Sequence, residues 1–458
     1  MEILNLPKGS KIHFIGIGGV SMSSLAEICL ANGYIVSGSD TTKTKLIDKL
    51  IDNGATVYIG QNAENIKSPD AIVYTAAINT DNPEFIAAQN TGVPFVERSV
   101  FLGELMKIYS NNCCISGTHG KTTTTAMVSL IMLESKLDPT ILVGGEVKEL
   151  GSNYKIGSNN MLVTESCEYV ESFLKFHPKS AIINNIEEDH LDYFKDLEHI
   201  KSSFKKFAEL IPYDGYIVAN GQDKNVVDTL KEFNNVKYFG IGADYEYSAQ
   251  NLEYNNVGFG EYDLFNNKEF LCHITLNVPG EHNVLNSLGA AAICHLHGCS
   301  TDSIIKGLYT FKGTGRRFEY IGNCNGADIF DDYAHHPTEI KTTLKACKNY
   351  GNKNVIAVFQ PHTYTRTKAL FNEFLEAFYD ADELILTDIY AAREKDTGII
   401  SSKILADSLC AKGVNVKYIS TFEDVAEYLK NKTSPDNLII TIGAGDVYKI
   451  SSLLLQDI

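Results

Sequence analysis

The stretch Ile115-Ser-Gly-Thr-His-Gly-Lys-Thr-Thr-Thr-Thr125 holds the groups that a phosphate cradle needs. An apolar opening, Cys113-Cys114-Ile115, precedes it, and a helix-like run, Ala126-Met-Val-Ser-Leu-Ile-Met-Leu133, follows. In a strand, glycine-rich turn and helix of this kind, backbone N–H groups point at an anion and the helix dipole favours negative charge. Lys121 adds a point charge for outer phosphates, and Thr122 a hydroxyl suited to Mg²⁺. Gly117, Thr118, His119, Gly120 and Thr123 belong to the same cradle. The match to G-x-x-x-x-G-K-[ST] lacks its first glycine, whose place is taken by Ile115. A threonine-rich, glycine-capped helix start with an exposed lysine is the bland alternative.

A second glycine-rich turn, Gly16-Ile-Gly-Gly-Val-Ser-Met22, sits between the strand-like Ile12–Ile17 and a helix-like run, Ser23–Asn32. It approaches the dinucleotide fingerprint G-x-G-x-x-G, with Ser21 in place of the last glycine and Asp40 beyond the next strand. This spacing predicts a pyrophosphate on the helix N-terminus, held at Gly16, Gly18, Gly19, Val20 and Ser21. NAD and a UDP-sugar satisfy it equally, and so does a tight turn with no ligand. Thr75 ends a later strand, and Arg98 offers a cation to the same crevice.

Further chemistry clusters where strands end. Glu165 follows Met161–Thr164, and His190 lies in Asn184-Asn-Ile-Glu-Glu-Asp-His-Leu-Asp192. Open α/β sheets place ligands at such carboxyl ends. Mg²⁺ prefers oxygen, so Thr122 and Glu165 form the natural pair. His190 is an unusual ligand for it, and Glu187, Glu188 and Asp189 read as a solvated acidic turn. His282, Asn283 and Asn286 fall within one helical turn and offer donors and acceptors to a purine or a phosphate. Gly313-Thr-Gly-Arg-Arg-Phe-Glu319 puts Arg316 and Arg317 where either can bridge onto a phosphate. Phe330-Asp-Asp-Tyr-Ala-His-His-Pro-Thr-Glu339 and Gln360-Pro-His-Thr-Tyr-Thr-Arg366 pack acids, histidines and Arg366 behind two more strands.

Strand and helix signals alternate throughout, which implies parallel sheets with crossover helices. Three α/β regions in series are expected: 1–110, 111–312 and 313–458, with Asn111-Asn112 as a hinge. The first and third read as Rossmann-like and the central one as a P-loop-type ATPase fold. Residues 236–278, rich in Tyr, Phe, Asn and Gly, read as a β-rich insertion, and Lys368–Tyr379 as one helix. At 458 residues the chain has ample core for several domains. A net charge of −17 argues against a sequence-independent nucleic-acid binder, which needs a basic face. Ten cysteines without a C-x-x-C pair fit reduced thiols rather than a disulfide frame. With no signal-like segment and no apolar run of about 18 residues, a cytoplasmic location away from membranes is expected.

The stretches GIGGVSMS, GTHGKTTTT, NIEEDHLDYF, GEHNVLNSLGAA, GTGRRFE, DDYAHHPTE, QPHTYTRT and TIGAGDVY, in this order, resemble the Mur ligase family of ATP-dependent amino-acid ligases. The resemblance covers essentially the whole chain. It implies that the first region holds a UDP-sugar rather than NAD, the second ATP, and that the third closes over them with an amino acid. Its substrates would be UDP-N-acetylmuramate and L-alanine, with the chain a monomer or homodimer. Lys121 would contact the ATP phosphates. Thr122, Glu165 and His190 would hold Mg²⁺, the last two serving a second ion. His282, Asn283 and Asn286 would lie near adenine, Arg316 or Arg317 on phosphate, and Asp331, Asp332 and Tyr333 near the nucleotide. His335 and Arg366 would meet the amino acid or the sugar's carboxylate.

Three departures stand out. The usual E-A-D-E-S-D run is Glu165-Ser-Cys-Glu-Tyr-Val here, which leaves the roles of Cys167 and Glu168 open. Thr363 replaces an arginine, and Gln61 replaces a histidine. An NAD-dependent dehydrogenase, which gives Lys121 no role, and a nucleotide-binding regulator without turnover are the readings from other classes. A ligase that attaches a recycled tripeptide shares the DDYAHHPTE-like stretch.

Overall fold

The computed structural model describes residues 6–158, 160–191, 193–351, 353–392, 394–396 and 398–455. Three sheets follow one another along the chain. The first contains β1 (Lys11–Ile15), β2 (Ile35–Asp40), β3 (Thr56–Ile59), β4 (Ala71–Tyr74) and β5 (Phe95–Glu97), all parallel, in the order β3-β2-β1-β4-β5. The strand order reverses at β1, whose Ile15 lies between Ser39 and Tyr74 in register. Gly16 and Thr75 therefore leave neighbouring strands side by side, where such sheets form a crevice.

The central sheet takes β6 (Asn111–Ser116), β7 (Thr140–Val147), β8 (Ser152–Lys155), β9 (Met161–Glu165), β10 (Ser180–Ile183), β11 (Tyr216–Asn220), β12 (Val236–Ile241), β13 (Tyr247–Tyr254), β14 (Phe259–Asn266) and β15 (Glu269–Pro279). Their order is β15-β14-β13-β12-β11-β10-β6-β9-β7-β8. β12 to β15 extend this sheet rather than forming a separate insertion. β12 and β13 pair parallel, and two antiparallel turns then bring the chain to the helix Glu281–Leu296. Ile115 is the register partner of Glu165, and Ser116 of Ile183, so the loops after β6, β9 and β10 open side by side.

The third sheet has β16 (Glu319–Cys324), β17 (Ala327–Asp332), β18 (Asn354–Phe359), β19 (Glu383–Leu386), β20 (Val416–Tyr418) and β21 (Asn437–Ile442), ordered β16-β17-β21-β18-β19-β20. Only β16 pairs antiparallel here. The expected helix Lys368–Tyr379 is instead two short ones, Tyr364–Ala369 and Phe371–Phe374, which meet at Leu370. The apolar residues after it, Leu375, Ala377 and Phe378, still pack into the core beneath β18 and β19.

One continuous apolar cluster joins the first two sheets, from Ile12, Phe14 and Phe101 through Phe173 and Phe176 to Ile183 and Phe204. Burying each phenylalanine contributes about 1.5–3 kcal/mol. The helix Arg98–Met106 presses against the turn Tyr169–Lys175, and Gly103 makes that approach possible: a Cβ there would lie 2.0 Å from the Lys175 carbonyl oxygen. Asn111 and Asn112 are not a hinge. They begin β6, and the buried Asn112 amide donates to the carbonyls of Met106, Tyr109 and His177. No helix among the described residues is long and apolar enough to cross a membrane.

Candidate active site

The turn after β6 ends in Gly120, which caps the helix Lys121–Glu134 with a left-handed φ of +79° and no side-chain cap. The first-turn amides of this helix are thus left without a side-chain acceptor, as an anion site requires. A Cβ on Gly120 would fall 2.5 Å from Asn286 Oδ1, so Asn286 closes on the turn only because glycine is there. The rest of the turn is braced by the loop after β10. Thr118 N–H donates to the Asn185 carbonyl (3.1 Å), His119 N–H to Asn185 Oδ1 (2.7 Å), and Glu187 N–H to Thr118 Oγ1 (2.9 Å).

A cavity of about 660 Å³ opens in front of this turn, between the central and third sheets. Of the expected residues, His119, Gly120, Thr122, Thr123, His282, Asn283, Asn286, Arg317 and Asp332 line it. Phe239, Phe259, Phe311, Phe330 and Tyr350 give it an aromatic flank that suits a flat base. Burial, with the Arg317 charge beside it, lowers His282 to about 4, so its ring is neutral. Asn283 donates its amide to the Pro279 carbonyl (2.7 Å), and Asn286 accepts from Thr124 Oγ1 (3.2 Å). Burial raises Asp332 to about 6, against the pull of Arg317.

Gly117, Thr118 and Lys121 do not line the cavity. Lys121 folds back, and its Nζ donates to the carbonyls of Gly117 (2.5 Å) and Thr118 (3.0 Å) and to Glu168 Oε2 (3.0 Å). Burial works against its charge, but Glu168 outweighs it and the pKa is raised. Glu168, whose role the sequence left open, is therefore the lysine's buried counter-ion. Cys167 beside it is a thiol raised to about 11 by burial.

Glu165 Oε1 accepts the Gly144 N–H (2.5 Å). Burial raises its pKa, while that N–H and the Thr122 hydroxyl near its carboxylate pull it down. A hydroxyl and a carboxylate near each other beside this turn fit a hard, oxygen-seeking cation. His190 sits elsewhere in the same wall. Its Nε2 lies 3.9 Å from Glu168 Oε1 and 3.8 Å from Asp189 Oδ2, and its ring packs 4.4 Å from that of Tyr169. His190 thus meets Glu168, while Glu165 is tied to Gly144, near Thr122.

The acidic turn after β10 is not simply solvated. Arg366 Nη2 donates to Asp189 Oδ1 (2.9 Å), Thr338 Oγ1 to Glu187 Oε2 (2.8 Å), and His336 Nε2 lies 3.0 Å from the Glu188 carbonyl. Each contact joins the third sheet's loops to the central region. Asp189 is held well below the usual carboxylate range: burial would raise it, but His190 and Arg366 prevail. Arg366 also reaches His362 Nδ1 (3.2 Å), whose ring lies 5.9 Å from His335. Burial lowers both histidines to about 4. Thr363, at φ +67°, caps the helix that carries Arg366 and offers no cation of its own.

Arg316 and Arg317 separate. Arg316, at φ +58°, turns to Asp331 Oδ2 (2.8 Å) and the Gly443 carbonyl (2.6 Å). Asp331 is buried between Arg316 and Thr441, and Tyr333 donates its N–H to the Arg316 carbonyl; neither lines the cavity. Of the two arginines, Arg317 is the one that lines the cavity, with Nη1 3.4 Å from Glu339 Oε1. His119, Glu187 and His336 bring one ligand atom each within 4.8 Å of one another, a spacing open to a transition metal.

In the first crevice, Gly18 N–H donates to Asp40 Oδ2 (2.9 Å), and Gly16 and Ile17 donate to the Ser39 carbonyl (2.8 and 2.9 Å). Gly16 has φ +84°, and a Cβ on it would strike Thr75 at 2.6 Å. Gly19 caps the helix Val20–Ala31 with no side-chain bond, and Arg98 Nη1 donates to Ser21 Oγ (3.2 Å). The turn, Asp40, Thr75 and Arg98 are thus brought together. Gln61 accepts from Asn82, which caps a neighbouring helix, Pro83–Gln89.

Two glycine-capped helix starts on separate sheets, with a third sheet docked on the second, define a three-domain α/β ligase architecture. The chain belongs to the Mur ligase family: "Mur ligase family, catalytic domain" matches residues 11–110, "Mur ligase middle domain" 115–294 and "Mur ligase, glutamate ligase domain" 316–445. The UDP-N-acetylmuramate–L-alanine ligase of Acetivibrio thermocellus is 51% identical over all of this chain and 98% of its own length. That of Clostridium tetani is 51% identical over 97% of this chain and 98% of its own. The crystal structure of UDP-N-acetylmuramate-alanine ligase MurC from Thermotoga maritima covers 98% of both chains at 28% identity, with a TM-score of 0.83.

Proposed function

We propose that this chain joins L-alanine to the carboxylate of UDP-N-acetylmuramate with ATP, a step of peptidoglycan synthesis. Full-length identity of 51% to two ligases named for that reaction carries the reading. The 660 Å³ cavity against the phosphate turn supports it physically. On this reading residues 1–110 hold the UDP-sugar, 111–312 hold ATP, and 313–458 close over them. The enzyme works on small molecules in the cytoplasm, as a monomer or homodimer, with no nucleic acid or membrane partner.

A carboxylate is a poor electrophile, so ATP must convert it to an acyl phosphate before an amine can attack. The muramoyl carboxylate oxygen attacks the γ-phosphorus and ADP leaves. The alanine amine then attacks the acyl carbon, and phosphate leaves from the tetrahedral intermediate. The protein aligns two anions and offsets their charge. The open amides at Lys121–Thr123 receive phosphate oxygens. Lys121 exchanges the Gly117 and Thr118 carbonyls for the phosphates, while Glu168 keeps it charged. Arg317 neutralises charge from the cavity's far wall. Thr122 and Glu165 would hold Mg²⁺, with His190 at a second ion; bound there, it supplies further neutralisation of phosphate charge. His335 and Arg366 meet the incoming amino acid or the sugar's carboxylate. Docking of the third region keeps water from the acyl phosphate.

Phosphate release is expected only when UDP-N-acetylmuramate and L-alanine are both present. Release with neither, or nicotinamide reduction, overturns the assignment. A panel of amino acids sets the selectivity, and a recycled tripeptide that outcompetes L-alanine moves the chain to the peptide ligases.

A further inference from the structure

Glu339 is a carboxylate of the third region that reaches the phosphate turn of the second. It is the third residue of the helix Pro337–Asn349 and is only 11% exposed. Its two oxygens do different work. Oε2 accepts the backbone N–H groups of His335 (3.0 Å) and His336 (3.3 Å), completing a capping box. Oε1 lies 3.2 Å from His119 Nδ1 and 3.4 Å from Arg317 Nη1. Both of those cations line the cavity, yet they arrive from different parts of the chain.

The balance around His119 favours the distant partner. Glu187, from the same region as His119, stands 3.6 Å from His119 Nε2, a buried nitrogen with no hydrogen bond. Glu339 is nearer, and it arrives only with the third region docked. Without it, His119 would keep only Glu187, and Arg317 would lose the carboxylate 3.4 Å from its Nη1. One carboxylate oxygen on two cations offsets their repulsion and leaves the outer N–H groups of Arg317 free for a ligand.

We infer that Glu339 is a positioning residue for the nucleotide phosphates: by docking between His119 and Arg317 it sets both cations when the third region closes. This rests on reading the cavity as the nucleotide site.

The test separates the two oxygens. Glu339→Gln keeps a side-chain carbonyl for the capping box, where glutamine serves as well as glutamate, and removes only the charge. The variant should melt close to the parent chain. Titration calorimetry with a non-hydrolysable ATP analogue and Mg²⁺ should show affinity about tenfold weaker. The KM for ATP should rise in step, with those for UDP-N-acetylmuramate and L-alanine unchanged. Glu339→Asp, which keeps the charge on a shorter stem, should recover part of the loss. In a His119→Asn background the effect of Glu339→Gln should shrink, because one of its two targets is gone. Parent-like analogue binding by Glu339→Gln overturns the inference and leaves Glu339 a helix cap. So does an equal loss in all three KM values, which marks general misfolding. Failure of the parent chain itself to bind the analogue removes the nucleotide reading and the inference with it.

Discussion

The two glycine-rich turns share a plan and differ in what holds them. Each follows a central strand and opens a helix capped by glycine without a side-chain bond. The first is finished by its neighbours: Ser39 and Asp40 of the adjacent strand take the N–H groups of Gly16, Ile17 and Gly18. The second draws on distant partners. Asn185 and Glu187 come from the loop after β10, Glu168 from beyond β9, and Glu339 from another sheet. The N–H groups of the first turn are met within one sheet, and Asn153 of the central sheet reaches its helix, at the Val20 carbonyl (3.2 Å) and Ser24. The second turn, by contrast, is completed by docking of the third region. A self-contained site can receive its ligand with the molecule open. A site built across an interface has its full charge pattern only when closed.

The largest break should come from the second turn. Lys121→Ala should lower kcat for ligation about 10³-fold while UDP-N-acetylmuramate binding, measured by calorimetry, stays near the parent value. Near-normal amide formation would remove Lys121 from the phosphates. Arg366→Ala, which frees Asp189 and empties a cation from the docked face, should raise the KM for L-alanine about 30- to 100-fold. A rise in the KM for ATP alone would contradict the placement of Arg366. In the first turn, Asp40→Asn keeps an acceptor for Gly18 but loses its charge. It should weaken UDP-N-acetylmuramate about fivefold and leave ATP untouched; an ATP defect would erase the contrast between the turns.

The smallest effect is one of pH. Burial disfavours the His119 cation, but Glu339 and Glu187 raise it from 6.5 to about 10. A group raised on docking contributes fully below 6.5, and its contribution disappears as pH climbs through about 10. Affinity for the ATP analogue should therefore be highest below about pH 6.5, decline between 6.5 and about 10, and level off above that. Glu339→Gln should bring that fall to lower pH. A flat profile between pH 6.5 and about 10 in the parent chain would show that the His119 charge does not matter to the nucleotide.

Much of this was legible in the residues. The spacing of Gly117, Gly120 and Lys121 between an apolar strand and an apolar helix places the cradle, since only glycine accepts those backbone angles and that close approach of Asn286. The carboxyl-end position of Glu165 follows from the strand before it. The division between Arg316 and Arg317 was not legible. It turns on a left-handed backbone angle at Arg316, a non-glycine residue, which sends one guanidinium to Asp331 and the next into the cavity. Glu187 and Asp189 read as solvent-facing because their partners, Thr338, His119 and Arg366, stand 68 to 177 positions away along the chain. Glu168 was obscured by an unusual run of neighbours. Its signal is its place three residues beyond Glu165, on the same short connection that leads to His190's wall.

The contact at Gly103 has one more consequence. With a helix backbone against the Lys175 carbonyl and one apolar cluster across the joint, the first two regions are packed as a single block. The chain crosses to the third region once, near Gly313. If the third region swings about that single crossing, the small patch of charges at its interface would set both how long the molecule stays shut and how soon product escapes. Tightening that patch would protect the acyl phosphate and slow release in the same stroke, so its strength is a compromise between yield and throughput.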